Sequence, residues 1–463
     1  MARSRNEKLA QVIAQAGWSH AQLAAAVVRV ATENGISACT AVGRSHVTYW
    51  VGGTVPSGEA PLVLREALSR RLGRHLTLDE IGLADSSATA VGALDWRTDA
   101  LVSLAELGRV EVDEERRRLL SRSAYSLAAL ALPSPSRPEP AARPVARAGG
   151  GRTLTVGAAD VEAVRDMVRF FSQIDQKRGG GHGRTAVVAY LRTEALGYLN
   201  GSFADDHVRR AMFSAAGELA YLAAWMAFDN DEHAVAQPYF TTAVKLAVEA
   251  EDAPLAGHIL RAMAHQALEL GHGPEAARIA SASVEGDRYR LASPRERALL
   301  GVVHARALAH IGDQRGSAAA LLRAEDDLAS AGPGREEPGR TFFFGEASLA
   351  HETARTLQAS GDTGGALREF RRSVRTRNAT SFSRTHAVTL GYLGSIQATT
   401  GRVEEACATW NRALDTMAGV TSGRTRQTVV DMRRTLSPFR RRGIDAVAEL
   451  DMRAAQFLGR PVA

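Results

Sequence analysis

The sequence predicts an all-α protein, with a cluster of short N-terminal helices followed by a C-terminal α-solenoid of stacked helical pairs. Three observations predict it. Asn230, Gly271, Gly312, Gly361 and Gly401 each stand where a helix should end, at intervals of 41, 41, 49 and 40 residues, and such a period signals a repeat array. Ala and Leu dominate the chain while Ile is scarce, a bias toward helix. From Asn6 to about Leu83 the apolar spacing is broken by cap residues at short intervals, as in a row of short helices.

A chain of 463 residues is too long for one compact core. The spacing divides it into residues 1–85, a helical connector over 86–132, a linker over 133–152 and a repeat region over 153–463. The content of 45% hydrophobic and 23% charged residues is that of an ordinary globular chain. Cys39 and Cys407 give neither a disulfide framework nor a metal spacing, which makes the reducing cytoplasm the expected location. The net charge of +6 permits a polyanionic partner without requiring one. No apolar run is long enough to span a bilayer, so no membrane partner is expected.

In the first region Gly17-Trp18-Ser19 ends one helix and caps the next, with Ser19 as N-cap. After a loop comes Arg44-Ser45-His46-Val47-Thr48-Tyr49-Trp50-Val51-Gly52-Gly53-Thr54-Val55-Pro56. Val47 and Trp50 lie three apart and should face the core, leaving Ser45, His46, Thr48 and Tyr49 outward. A helix is expected over Ala60–Leu72, ended by Gly73, and a final short one over Thr77–Ile81 with Thr77 as N-cap. The aliphatic residue, Trp, Gly and Pro at 47, 50, 53 and 56 resemble the Cro/phage-repressor type of helix-turn-helix. That resemblance implies a recognition helix in the major groove of double-stranded DNA. Its candidate contacts are Arg44, Ser45, His46, Thr48 and Tyr49, with Ser19 and His20 at a helix start suited to phosphate. Nine Lys/Arg oppose seven Asp/Glu in residues 1–85. So small an excess makes a homodimer on an inverted-repeat operator the expected binding mode.

Asp95–Leu132 reads as helix interrupted near Gly108. Within it Arg116-Arg117-Arg118-Leu119-Leu120 and the apolar stretch Ala124–Leu132 imitate a twin-arginine export signal, but too far from the N-terminus to act as one. An amphipathic helix is expected instead. Residues 133–152, PSPSRPEPAARPVARAGGGR, hold five prolines and a glycine triplet, which reads as an extended tether.

In the repeat region Gly394, Gly401, Ala406, Trp410 and Ala413 share offsets with Ala354, Gly361, Ala366, Phe370 and Ser373, and with Ala264, Gly271, Ala276, Ala280 and Ser283. Small residues at the first and third offsets let two antiparallel helices approach, and the fourth fills the space between pairs. The offsets resemble the tetratricopeptide repeat, with longer connections. About five units are expected from Ala211 to Gly419, after a helix pair near Asp160–Asn200. Residues one after, or three before, the first small residue should face the groove. They are Arg261, His265, Arg306, His351 and Arg355, a set that could hold a peptide carboxylate or another small anion. A wet, merely polar groove is the alternative.

Gly179-Gly180-Gly181-His182-Gly183-Arg184-Thr185 lacks the spacing and Lys of a phosphate loop and links two helices, so a structural loop is expected. Phe342-Phe343-Phe344 should staple a helix start, and Arg440-Arg441-Arg442 should end one. No catalytic or metal constellation has a recognisable spacing, and neither an enzyme nor a cofactor is expected.

Across most of the chain Ala16-Gly17-Trp18-Ser19, the Val47–Trp50 helix, Leu78-Asp79-Glu80-Ile81-Gly82-Leu83, Asp160-Val161-Glu162, Gly179-Gly180-Gly181-His182, residues 221–229 and His265-Gln266-Ala267-Leu268 resemble a group of actinobacterial regulators. These are of the type that negatively regulates differentiation and sporulation. The resemblance implies a transcription regulator, a repressor rather than an activator, of development or secondary metabolism. Its repeat domain would serve dimerisation, signal sensing or both. The rival is a non-catalytic interaction scaffold whose helix-turn-helix does not read DNA.

Overall fold

The computed structural model describes residues 4–83, 96–112, 117, 120, 124–132, 154–332, 336–440, 442 and 444–459. The expected tether over 133–152 lies outside them, as do Arg116, Arg118 and Arg441. The fold is all-α, ending in a solenoid-like helical repeat. Among the described residues the one strand pairing is a two-residue parallel bridge between Thr155–Val156 and Ser202–Phe203.

Helices α1 (Glu7–Ala16), α2 (His20–Glu33), α3 (Arg44–Val51) and α4 (Ala60–Leu72) build the N-terminal unit. Gly17 and Gly73 take left-handed φ values of 63° and 64° to close α1 and α4, a conformation that costs glycine little. The Ser19 cap is reciprocal. Its hydroxyl accepts the Gln22 N–H at 3.3 Å, and its own N–H donates to the Gln22 side chain at 2.8 Å. Val47, Trp50, Leu23, Val27, Val63, Leu64 and Ile81 share this unit's core. Thr77 caps as expected, and Glu80 makes the cap reciprocal, with N–H contacts of 2.7 and 3.1 Å. It closes a single turn, however, and not a helix. Gly82, at φ 67°, ends that turn one residue after Ile81.

The connector departs from expectation. Helix α5 (Ala100–Val112) runs through Gly108 without a break. Residues 124–126 are not helical, and only Ala128–Leu130 makes a 3-10 turn. The reason is the hydrogen bonding of residues 125–127, whose N–H groups find side-chain acceptors on three other elements in place of a helix ladder. Tyr125 N–H donates to Asn34 Oδ1 at 3.0 Å, and Leu127 N–H to Glu66 Oε1 at 2.9 Å. Ser126 exchanges two hydrogen bonds with the Gln237 amide, at 2.9 and 2.6 Å. Ala124 belongs to the core of the N-terminal unit, whereas Tyr125 and Leu130 belong to the core of the repeats. This segment is therefore a strap joining the two.

After α6 (Ala158–Arg178) and α7 (Gly180–Tyr190) come the pairs α8 (Asp206–Asp229)/α9 (His233–Glu249), α10 (Ala253–Glu269)/α11 (Gly273–Ser283), α12 (Pro294–His310)/α13 (Gln314–Ala329), α14 (Glu346–Ala359)/α15 (Thr363–Thr376), α16 (Ser383–Thr399)/α17 (Val403–Thr416) and α18 (Gly423–Leu436)/α19 (Asp445–Leu458). Partners within each pair pack together, and successive pairs stack. Short connections force the helices antiparallel. Gly271, Gly312, Gly361 and Gly401 take φ values of 81° to 86° in those connections. The Asp that follows Gly312 and Gly361 caps the next helix, accepting an N–H at 2.9 and 2.8 Å. At the first connection Asn230 follows the last residue of α8, as its place in the repeat pattern requires, and Asp231 takes the left-handed conformation (φ 63°).

The small residues do what their offsets require. A Cβ at Gly394 would lie 2.5 Å from Trp410 Nε1, whose indole fills the gap and donates to the Gly391 carbonyl at 3.1 Å. Phe344 is buried at the start of α14, as a staple would be, but Phe342 remains exposed. Helix α8 is long and apolar enough by composition to cross a bilayer, and 78% of its apolar window is buried inside the protein.

Candidate functional site

Helix α3 exists because Val47, Trp50 and Val51 bury one face in the unit's core. Its other face carries Arg44, Ser45, His46, Thr48 and Tyr49, all exposed, with Tyr49 at 64%. The structure thus brings these five residues onto one solvent-facing surface.

The start of α2 is tied to the same surface. His20 Nδ1 lies 3.0 Å from the Thr48 hydroxyl, which itself donates to the Arg44 carbonyl at 3.1 Å. The Thr48 hydroxyl thus links the start of α2 to the first turn of α3. The His46 Nδ1 accepts the Gly43 N–H at 3.1 Å, which leaves Nε2–H directed elsewhere. The surface therefore offers a guanidinium, an imidazole donor, hydroxyls and one phenol. Ser19 is exposed beside His20, but its hydroxyl is engaged in the cap. Val55, 73% exposed just beyond α3, adds an apolar contact that periodicity could not reveal because it lies in a loop.

The long stretch between α2 and α3 also finds its explanation. Helix α2 continues to Glu33, Gly35 turns the chain at φ 67°, and a 3-10 turn over Ser37–Cys39 buries Cys39 in the core. The extra residues are packed into the unit and do not displace α3.

The repeat groove is more closed than an open solenoid would be. Arg384 at the start of α16 donates to Asp229 at 2.7 Å and to Asp175 at 2.9 Å. The Thr421 N–H donates to the Arg178 carbonyl at 2.7 Å, and the Gly181 N–H to the Thr421 carbonyl at 3.1 Å. The end of the array thus meets its beginning, leaving a cavity of about 70 Å³. Gly179–Gly181 is part of this closure. A Cβ at Gly180 would sit 2.4 Å from the Met226 carbonyl oxygen, and the Gly180 N–H donates to Asp229 at 2.9 Å. The glycines serve close packing, as expected of a structural loop.

Of the five groove residues expected from spacing, Arg261, His265 and His351 line this cavity, whereas Arg306 and Arg355 do not. Both of the latter bind Glu269, at 2.6 and 3.2 Å, and Arg306 also binds Glu352 at 3.1 Å. Their charges are spent inside the protein. Burial, with Arg306 next for His265 and Arg377 for His351, holds both imidazoles well below the usual range, so they are neutral hydrogen-bonding groups. Spacing missed Arg377, Arg384 and Arg424, which also line the cavity. They lie at helix ends, and only the closure brings them inward.

The family profile described as the SP15 N-terminal domain matches residues 9–84, the stretch that holds most of α1, all of α2–α4 and the candidate surface on α3. No curated protein matches the chain.

Proposed function

We propose that this protein is a DNA-binding transcription regulator whose α3 surface enters the major groove of an operator. The observation that supports this most is the exposed row Arg44, Ser45, His46, Thr48 and Tyr49 on a helix whose opposite face is fixed by Val47 and Trp50. Arg44 suits a guanine edge or a phosphate, while Ser45, His46 and Thr48 suit base edges. Tyr49 and Val55 offer apolar contact to a thymine methyl. One arginine per surface gives little non-specific affinity, which favours a homodimer on two half-sites. In this reading the protein is a cytoplasmic repressor of development or secondary metabolism, and its repeats dimerise, sense a signal or do both.

Immunoprecipitation of DNA bound to the full chain, followed by sequencing, tests the reading. A shared palindromic motif, lost in Arg44→Ala/Tyr49→Ala, is expected. Equal enrichment by the native and variant chains would overturn the regulator and leave the interaction scaffold.

A further inference from the structure

The cavity left by closure of the array is lined by more arginines than carboxylates. Four arginines line it, Arg261, Arg377, Arg384 and Arg424, beside one carboxylate, Glu352. Arg384 is held between Asp175 and Asp229, and Glu352 by Arg306. Among the described residues Arg261, Arg377 and Arg424 form no ion pair. Arg261 donates to the Tyr221 hydroxyl at 3.0 Å. Arg377 donates to the Ala347 carbonyl at 2.9 Å and to the Ser373 and Ser348 hydroxyls at 3.2 and 3.4 Å. Arg424 stacks over Phe228, 5.3 Å from its ring centre.

Two of these three cations are deeply buried, Arg261 at 2% exposure and Arg377 at 8%. Among the described residues the Nε of each has no hydrogen-bond partner, and neither ring nitrogen of His265 has one. Buried polar groups are normally paired, and an unpaired buried charge is costly. Burial, together with Arg384, pushes Arg377 down to about 10 despite Glu352 nearby. A carboxylate in the cavity would give Arg377 and Arg424 the counter-charge that no ion pair among the described residues supplies. The wall is mixed: Gln176, Ser348, Thr385 and the two histidines are polar, while Trp225, Leu299, Val303, Phe343, Phe344 and Val388 give it an apolar part. A free inorganic anion makes no use of that apolar part. A peptide would need an open groove, which the Arg384 contacts close.

We infer that this cavity binds a small organic carboxylate. Its head group would meet Arg377 and Arg424, and its apolar body would lie against Trp225 and Phe344. This deepens the sensing role proposed for the repeats, but the binding is read on protein without DNA. Its failure is therefore distinguishable from failure of the α3 surface.

Calorimetric titration of the full chain with phenylacetate, with hexanoate and with inorganic phosphate tests the assignment. One of the two carboxylates is expected to bind with a stoichiometry of one, and more tightly than phosphate. Arg424→Gln and Arg377→Gln should each weaken it about tenfold or more, while the exposed Arg402→Gln should not. Arg377 anchors the α14–α15 pair, so Arg377→Gln needs a melting curve beside it. Among the described residues Arg424 donates no side-chain hydrogen bond, so Arg424→Gln tests the site with less structural loss, and it too is read beside a melting curve. No carboxylate binding on the order of 10 mM, equal binding of phosphate, or unchanged affinity in Arg424→Gln would each overturn the inference.

Discussion

The Tyr125 ring stacks on His272, with planes 8° apart and centroids 5.9 Å apart. His272 stands in the turn between α10 and α11, while Tyr125 lies in the strap whose neighbour Leu127 is bonded to Glu66 of the N-terminal unit. The N-terminal helices are therefore fastened to the repeats through short contacts and do not hang from them on a free chain.

Tyr125→Ala should loosen that attachment. Removing a buried aromatic costs roughly 3–5 kcal/mol. The loss should appear in scanning calorimetry as an N-terminal transition separating from that of the repeats. A single transition at the native temperature would show that the strap does not couple them. Tyr125→Phe should be neutral or stabilising by up to about 1 kcal/mol, because the buried hydroxyl has no hydrogen-bond partner among the described residues.

Acid should destabilise the fold through its buried histidines. Burial, the leading cause in each case, lowers His233, His258 and His386 to about 4 and His75 to about 3. These groups stay neutral in the native protein while the unfolded chain takes up protons below about 6.5. Their stabilisation is present above that pH and is lost as pH falls toward 4. Asp175 and Asp231, raised by burial to about 7 and about 6, act in the opposite sense over the same range. The histidines are more numerous, so the melting temperature should drop by several degrees from pH 7 to pH 5. A flat or rising profile would contradict this.

Arg384→Met should cost about 3–5 kcal/mol in urea denaturation, since it leaves two buried carboxylates facing each other without a cation. Converting Asp175 to Asn as well should recover part of the loss. Asp229 would be the wrong residue to neutralise, because it also caps the Gly180 N–H at 2.9 Å. A loss under about 1 kcal/mol would mean the closure contributes little.

Gly180→Ala tests the closure by volume and leaves its charge alone. The added methyl would press on the α8 backbone at Met226. Backbone cannot yield as a side chain can, so a loss of roughly 1–3 kcal/mol or more is expected. Unchanged stability would show that α7 and α8 are not held so closely.

At the proposed DNA surface on α3, Arg44→Ala should reduce the salt dependence of binding. A lost phosphate contact changes the slope of log affinity against log salt by about 1 per protomer. If the slope is unchanged while affinity falls, Arg44 reads a base edge. If neither changes, Arg44 has no place in the interface.

Much of this architecture was legible because it follows local rules. Ser19 with Gln22, and the glycines after each first helix, act within a few residues of themselves, and the Val47–Trp50 spacing fixes a face. The strap was not legible, because the apolar run Ala124–Leu132 fits a helix until Asn34, Glu66 and Gln237 take its N–H groups. The groove was half legible. Periodicity found Arg261, His265 and His351, yet it could not see that Glu269 and Glu352 would claim Arg306 and Arg355. Nor could it show Arg384 meeting a carboxylate 155 residues away.

Open helical arrays can gain or lose a unit, because each unit touches only its neighbours. This one has a rotation to complete. Inserting or deleting one pair between α8 and α16 would swing Arg384 off Asp175 and Asp229 and strand all three charges. Descendants of this chain can therefore lengthen a connection, as the 49-residue interval from Gly312 to Gly361 already does, but their tally of helical pairs is locked.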